Sequence, residues 1–119
     1  MTDNANLVKA ITEAAQEKKG RNITHVDLSE IETAATQGFV LVNGNTPIQV
    51  DAIADSIREM VEKNTGIRPY NYDGYQNSQW IVIDYGSIFA HVFLPEYRER
   101  YNLEQLWADA VITHVPDLD

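Results

Sequence analysis

The sequence contains no cysteine. That absence excludes disulfides, thiolate zinc sites, iron–sulfur clusters and cysteine nucleophiles together. Cations are scarce as well: nine lysines and arginines stand against 18 aspartates and glutamates, a formal net charge of −9. Non-specific nucleic-acid binding draws most of its free energy from neutralising phosphates with Lys and Arg, so little or no direct nucleic-acid binding is expected. Anionic membrane surfaces are disfavoured for the same reason. A basic group at Lys9, Lys18, Lys19 and Arg21 gathers around a helix end and reads as a solvated rim. No apolar run approaches the roughly 20 residues that a membrane span requires. Residues 1–6 are polar, without the basic start, apolar stretch and cleavage site of a secretory signal, so a cytoplasmic protein is the expectation.

Reactive constellations are missing too. His25, His91 and His114 lie far apart and never pair at helical spacing with one another or with a carboxylate, so no metal site is expected. His25 and His91 read as polar positions on a half-exposed sheet face. Gly44 stands between two asparagines with no lysine after it, which is not a phosphate-cradling loop, and no GxSxG elbow occurs. Gly86-Ser87 is the nearest approach to an enzyme signature, because nucleotidyltransferases follow such a pair with two alternating metal-binding carboxylates. Residues 88–94 contain no Asp or Glu, and a magnesium ion holding a nucleoside triphosphate needs those hard ligands. Asp27 and Asp84 could meet across strands, yet no pocket for acid–base work is evident. The expectation is a protein that is not an enzyme, with no catalytic residue and no cofactor.

What is present suits one folded domain over residues 1–119: 44% of residues are apolar and 23% charged. Leu7, Val8, Ile11, Ala14 and Ala15 predict an amphipathic helix over 4–19, capped by Gly20. Residues 22–28 alternate as a strand. Phe39 to Val42 form a short β-branched run that suits a strand covered on both faces, which places helices on the sheet. Thr46, Pro47 and Gln49 supply an N-cap, a first-position proline and a capping-box glutamine for a long helix ending at Gly66. Residues 67–70 make a short extended piece broken by Pro69, and 70–77 read as loop. Strands over 80–83 and 88–93 flank the four-residue turn Asp84 to Ser87, and Pro95 opens a short helix. The order αββαβββα gives an α/β or α+β sandwich with a mixed sheet of about five strands flanked by helices. Residues 111–119 read as a flexible acidic tail, in which Asp117 and Asp119 look solvated.

Ten of the eleven aromatic residues follow position 69. Several must fill the core, but strand alternation gives Trp80 and Val82 one face and Ile81 and Ile83 the other, and a hairpin in so small a domain cannot cover both. Tyr and Trp offer large contact area with few rotors, which makes the hairpin a candidate protein-binding surface. Trp80 is the candidate anchor, with a place in the core under the first helix as its structural alternative.

These residues carry a resemblance. Trp80-Ile81-Val82-Ile83-Asp84-Tyr85-Gly86, His91-Val92-Phe93, Arg98, Tyr101, Leu103-Glu104 and Leu106-Trp107-Ala108-Asp109-Ala110 resemble the ribosomal silencing factor family, also called Iojap-like. Val26-Asp27-Leu28, Phe39 to Val42 with Gly44, Val50 and Ala52-Ile53-Ala54-Asp55 extend the likeness over residues 5–110. The resemblance implies a nucleotidyltransferase-like core without catalytic carboxylates. It also implies a repressor of translation that binds the large ribosomal subunit through ribosomal protein fourteen and blocks joining of the small subunit under nutrient limitation. It points to Trp80, Asp84, Tyr85, Ser87, His91, Arg98 and Tyr101 as partner-binding residues. Organellar relatives assist large-subunit assembly, so an assembly adaptor is the alternative, and a residual nucleotide-binding or transferase protein using Ser87 and Asp84 is a further one. Gln37, Gly38, Ser87 and Arg100 depart from the family pattern. An apolar sheet edge covered by a second copy, in a homodimer, would give the same residue pattern as one covered by the ribosome.

Overall fold

In chain order, a computed structural model that describes residues 4–117 shows helix α1 (Asn4–Glu17), strands β1 (Arg21–Asp27) and β2 (Gly38–Asn43), and helix α2 (Pro47–Thr65). Strands β3 (Asn71–Asp73), β4 (Trp80–Asp84) and β5 (Ile88–Phe93) follow, then helices α3 (Pro95–Tyr101) and α4 (Leu103–Leu106) and strand β6 (Val111–His114). All six strands form one sheet in the order β3-β4-β5-β2-β1-β6. The central pair β2–β5 is parallel and every other pairing is antiparallel. The fold is thus a mixed α+β sandwich.

Central strands are apolar on both sides because both sides are used. In β2, Val40 and Val42 point into a first core with Leu7, Ile11, Ile53 and Ile57 of the two long helices, while Leu41 joins Val26, Leu28 and Phe93 in a second core. Helices α1 and α2 seal the first face. Their junction is tied by Gln49, whose side-chain carbonyl accepts the Asn45 N–H at 2.7 Å while its amide donates to the Lys18 and Lys19 carbonyls at 3.3 Å. Thr46 caps α2 as its sequence predicts, its hydroxyl accepting the Gln49 N–H at 3.1 Å, and Gly66 ends it, donating to the Glu62 carbonyl.

Two edge strands correct the expected count. The segment 70–77 is not all loop: Asn71–Asp73 pair with β4, all three residues exposed, so no alternation of apolar residues marks the strand. Residues 111–114 are not a free tail but strand β6, paired with β1 from Thr24↔His114 to Asp27↔Val111. Ile112 is the one half-buried residue of that strand and packs on the second core. A four-residue strand with one inward side chain has too little pattern to show in sequence. Asp117 is also engaged, accepting the Asn22 N–H at 3.0 Å and facing Arg21 at 3.6 Å; Asp119 lies outside the described residues.

Candidate interaction face

Strand alternation and register assemble the second face from three neighbouring strands. Val82, His91 and Leu41 stand in one row across β4, β5 and β2; Asp84, Phe89 and Phe39 form the next. The short helices α3 and α4 cover only part of this face. Phe39, Trp80, Val82, Asp84 and Phe89 remain half-buried, and Tyr101 is 50% exposed.

Trp80 is the hub. Its ring lies 4.7 Å from Tyr101, 5.7 Å from Phe93 and 5.9 Å from His91, centroid to centroid. Its indole N–H donates to His91 Nδ1 at 3.0 Å. Trp80 therefore sits across the sheet from α1, which answers the alternative that placed it under the first helix. Phe39 extends the aromatic surface edge-on to His91 at 5.1 Å and to Phe89 at 6.4 Å.

The remaining expected residues divide between surface and interior. Asp84 stays half-exposed, one carboxylate oxygen accepting the Gly86 N–H at 2.7 Å, so the turn it closes fixes its position at the rim. Gly86 turns with φ +82°, a conformation that favours glycine, and a Cβ there would come within 2.7 Å of the exposed Tyr70 ring, which would have to move aside. Ser87 is held by its backbone: its carbonyl accepts from the Gln37 N–H at 2.8 Å and from the Thr36 hydroxyl at 2.7 Å.

Tyr85, His91 and Arg98, expected at the partner surface, are buried. Tyr85 points to the first core at 4% exposure, and burial pushes its hydroxyl well above the usual tyrosine range. Alternation explains this, since Tyr85 follows Asp84 and takes the opposite side. His91 lies beneath Trp80, and burial holds its imidazole down to about 4.

Arg98 is an internal clasp. Its guanidinium donates to the Asn22 carbonyl, to Asn43 Oδ1 at 3.0 Å, to Thr24 Oγ1 at 2.8 Å and to both Glu104 carboxylate oxygens at 3.0 and 3.2 Å. It thereby ties α3 and α4 to the irregular start of β1, where Asn22 has φ +52°, and carries Tyr101 onto Trp80. Sequence reasoning did not single out Phe39, Val82 or Phe89 as site residues. Alternation from Trp80 signals Val82, but the parallel β2–β5 register that sets Phe39 beside Phe89 leaves no mark in the sequence.

Among the described residues, no group of three or more His, Cys, Asp or Glu side chains could hold a metal ion, and no helix is long and apolar enough to cross a membrane. A groove of about 480 Å³ between α2 and β3 carries charges that already answer one another: Arg58 lies 3.7 Å over the Tyr72 ring and 3.9 Å from Asp55, and Arg68 pairs with Glu62 at 3.1 Å.

Fold and face together define an α+β domain with one sheet face sealed by two long helices and the other only partly covered. The chain matches the family model described as "Ribosomal silencing factor during starvation" over residues 2–119. It is 33% identical over 114 residues to a ribosomal silencing factor of Bacillus subtilis, covering 96% of this chain and 92% of that one. A crystal structure of a Chromobacterium violaceum protein superposes with a TM-score of 0.83 at 29% identity, covering 90% of this chain and 88% of the other. A mouse protein named for mitochondrial assembly of the ribosomal large subunit is 34% identical over 79 residues, 64% of this chain and 34% of that one. This chain belongs to the ribosomal silencing factor family.

Proposed function

We propose that this cytoplasmic protein represses translation by binding the large ribosomal subunit through ribosomal protein fourteen and sterically blocking the small subunit, under nutrient limitation and without chemistry of its own. The observation that carries the proposal is the half-covered aromatic surface of Trp80, Phe89 and Phe39, bridged by His91, with Tyr101 beside Trp80 and the Asp84 carboxylate at its rim. Interfaces concentrate their binding free energy in such aromatic anchors ringed by polar groups. A net charge of −9 keeps the chain off bare ribosomal RNA and favours a basic protein component, so raising salt weakens docking. On this account Trp80, Tyr101, Asp84 and Ser87 meet the partner, Phe39, Val82 and Phe89 extend the contact, and Tyr85, His91 and Arg98 support it from beneath.

Sedimentation with separated subunits tests this directly. The protein travels with the large subunit and lowers the yield of whole ribosomes, and Trp80→Ala loses both effects while remaining folded. Undiminished subunit joining at saturating protein overturns the repressor account. It would favour the second reading, an adaptor for large-subunit assembly, to which the mouse relative's name lends support.

A further inference from the structure

His91 is an uneconomical way to fill a core. Its ring is 7% exposed, set between Val82 and Leu41 in the central row of the second face. An indole N–H can only donate, so the Trp80 contact makes Nδ1 the acceptor and puts the imidazole proton on Nε2. That Nε2 is buried and has no hydrogen-bond partner among the described residues. A leucine in the same row would remove the unpaired Nε2, whose burial is destabilising, but would leave the Trp80 indole N–H without its acceptor. Among the described residues, the one hydrogen bond the imidazole makes runs to Trp80.

Ring contacts alone would not set the orientation of the indole. Its neighbours Tyr101, Phe93 and His91 lie at tilts of 33° to 40°, contacts that tolerate sliding and flipping. A hydrogen bond near 3.0 Å demands alignment and decides which edge of the indole points inward. Because burial keeps the imidazole neutral at ordinary pH, its acceptor lone pair is always available.

We propose that His91 is a positioning residue, which accepts the Trp80 indole N–H and so holds the half-exposed ring in a single orientation before the partner arrives. The proposal rests on the docking role of Trp80 given above. An anchor ordered in advance loses less freedom on binding, so the imidazole acts on affinity without touching the partner.

Hydrogen exchange of the Trp80 indole N–H, followed by nitrogen-15 NMR and assigned with Trp107→Phe, reads the lock in the free protein. Pelleting with purified large subunits reads docking. In His91→Leu the indole proton exchanges faster while the β4 and β5 amides keep their protection, and docking weakens roughly tenfold, about 1.4 kcal/mol. His91→Gln, whose amide oxygen can accept the same bond, restores both. Unchanged indole exchange in His91→Leu, or wild-type docking with the indole released, overturns the proposal. Should the leucine variant fail to fold, the glutamine variant decides: a protected indole with wild-type docking supports the lock, and any other pair of results overturns it. Wild-type docking by Trp80→Ala overturns the docking role itself; loss in Trp80→Ala with none in His91→Leu overturns only the role of His91.

Discussion

The two faces of the sheet are built from the same strands and treated in opposite ways. On the first, α1 and α2 bury Leu7, Ile11, Ile53 and Ile57 to 1% exposure or less, and packing dominates. On the second, two short helices held by one buried arginine leave Phe39, Trp80 and Phe89 half open. If the open face is the docking surface proposed above, substitutions at its half-exposed residues should leave a folded chain unable to dock, whereas those in either buried core, or in the clasp beneath, should lower stability.

The clasp offers the largest effect. Arg98→Ala takes the guanidinium from Glu104 and from Asn22, Thr24 and Asn43 in a mostly buried setting, and breaking such a pair costs about 3–5 kcal/mol, measurable by urea unfolding. Docking should fall as well, because Tyr101 loses its support. Ile53→Ala, on the sealed face, costs about 2–5 kcal/mol of stability, yet the folded fraction should dock normally. A docking defect in that variant would break the division between faces.

Acid titrates the contrast. His91 falls from an ordinary 6.5 to about 4 on folding, so the unfolded chain takes up a proton first. Its contribution is complete above pH 6.5 and lost as pH falls toward 4, about 3 kcal/mol in all. Unfolding midpoints measured from pH 7 to 4 should show this loss, and His91→Leu should flatten it. Trp80→Ala should weaken docking by about 2 kcal/mol or more, and should also lower thermal stability, without unfolding the chain, because it strips the buried His91 Nδ1 of its donor. Thr46→Ala, which removes the α2 cap, should lower stability by about 1 kcal/mol and leave docking untouched.

The first face was largely legible in the sequence. Helical spacing in α1, the Thr46–Gln49 cap and the β2 run all state local rules that the packing obeys. The strands β3 and β6 were not legible, because their pairing rests on backbone hydrogen bonds with almost no apolar alternation. At the candidate site, the residue types around Trp80 and Asp84 were readable, but depth was not. Tyr85 and Arg98 carry the chemistry of surface residues and are buried by register and by a polar network drawn from positions 22, 24, 43 and 104. Only tertiary structure brings those positions together.

Strand β6 also imposes an order on synthesis. It is made after every other strand, and it lies along β1 with Ile112 against the second core. A growing chain can assemble the scaffold of α1, α2 and β1–β5 from residues 4–93, in keeping with the tendency of nascent proteins to fold from the N-terminal side. The open face must wait for α3, α4 and the strand after them. Nascent copies that stop short of Val111 therefore carry the scaffold without the finished second face, which is completed last.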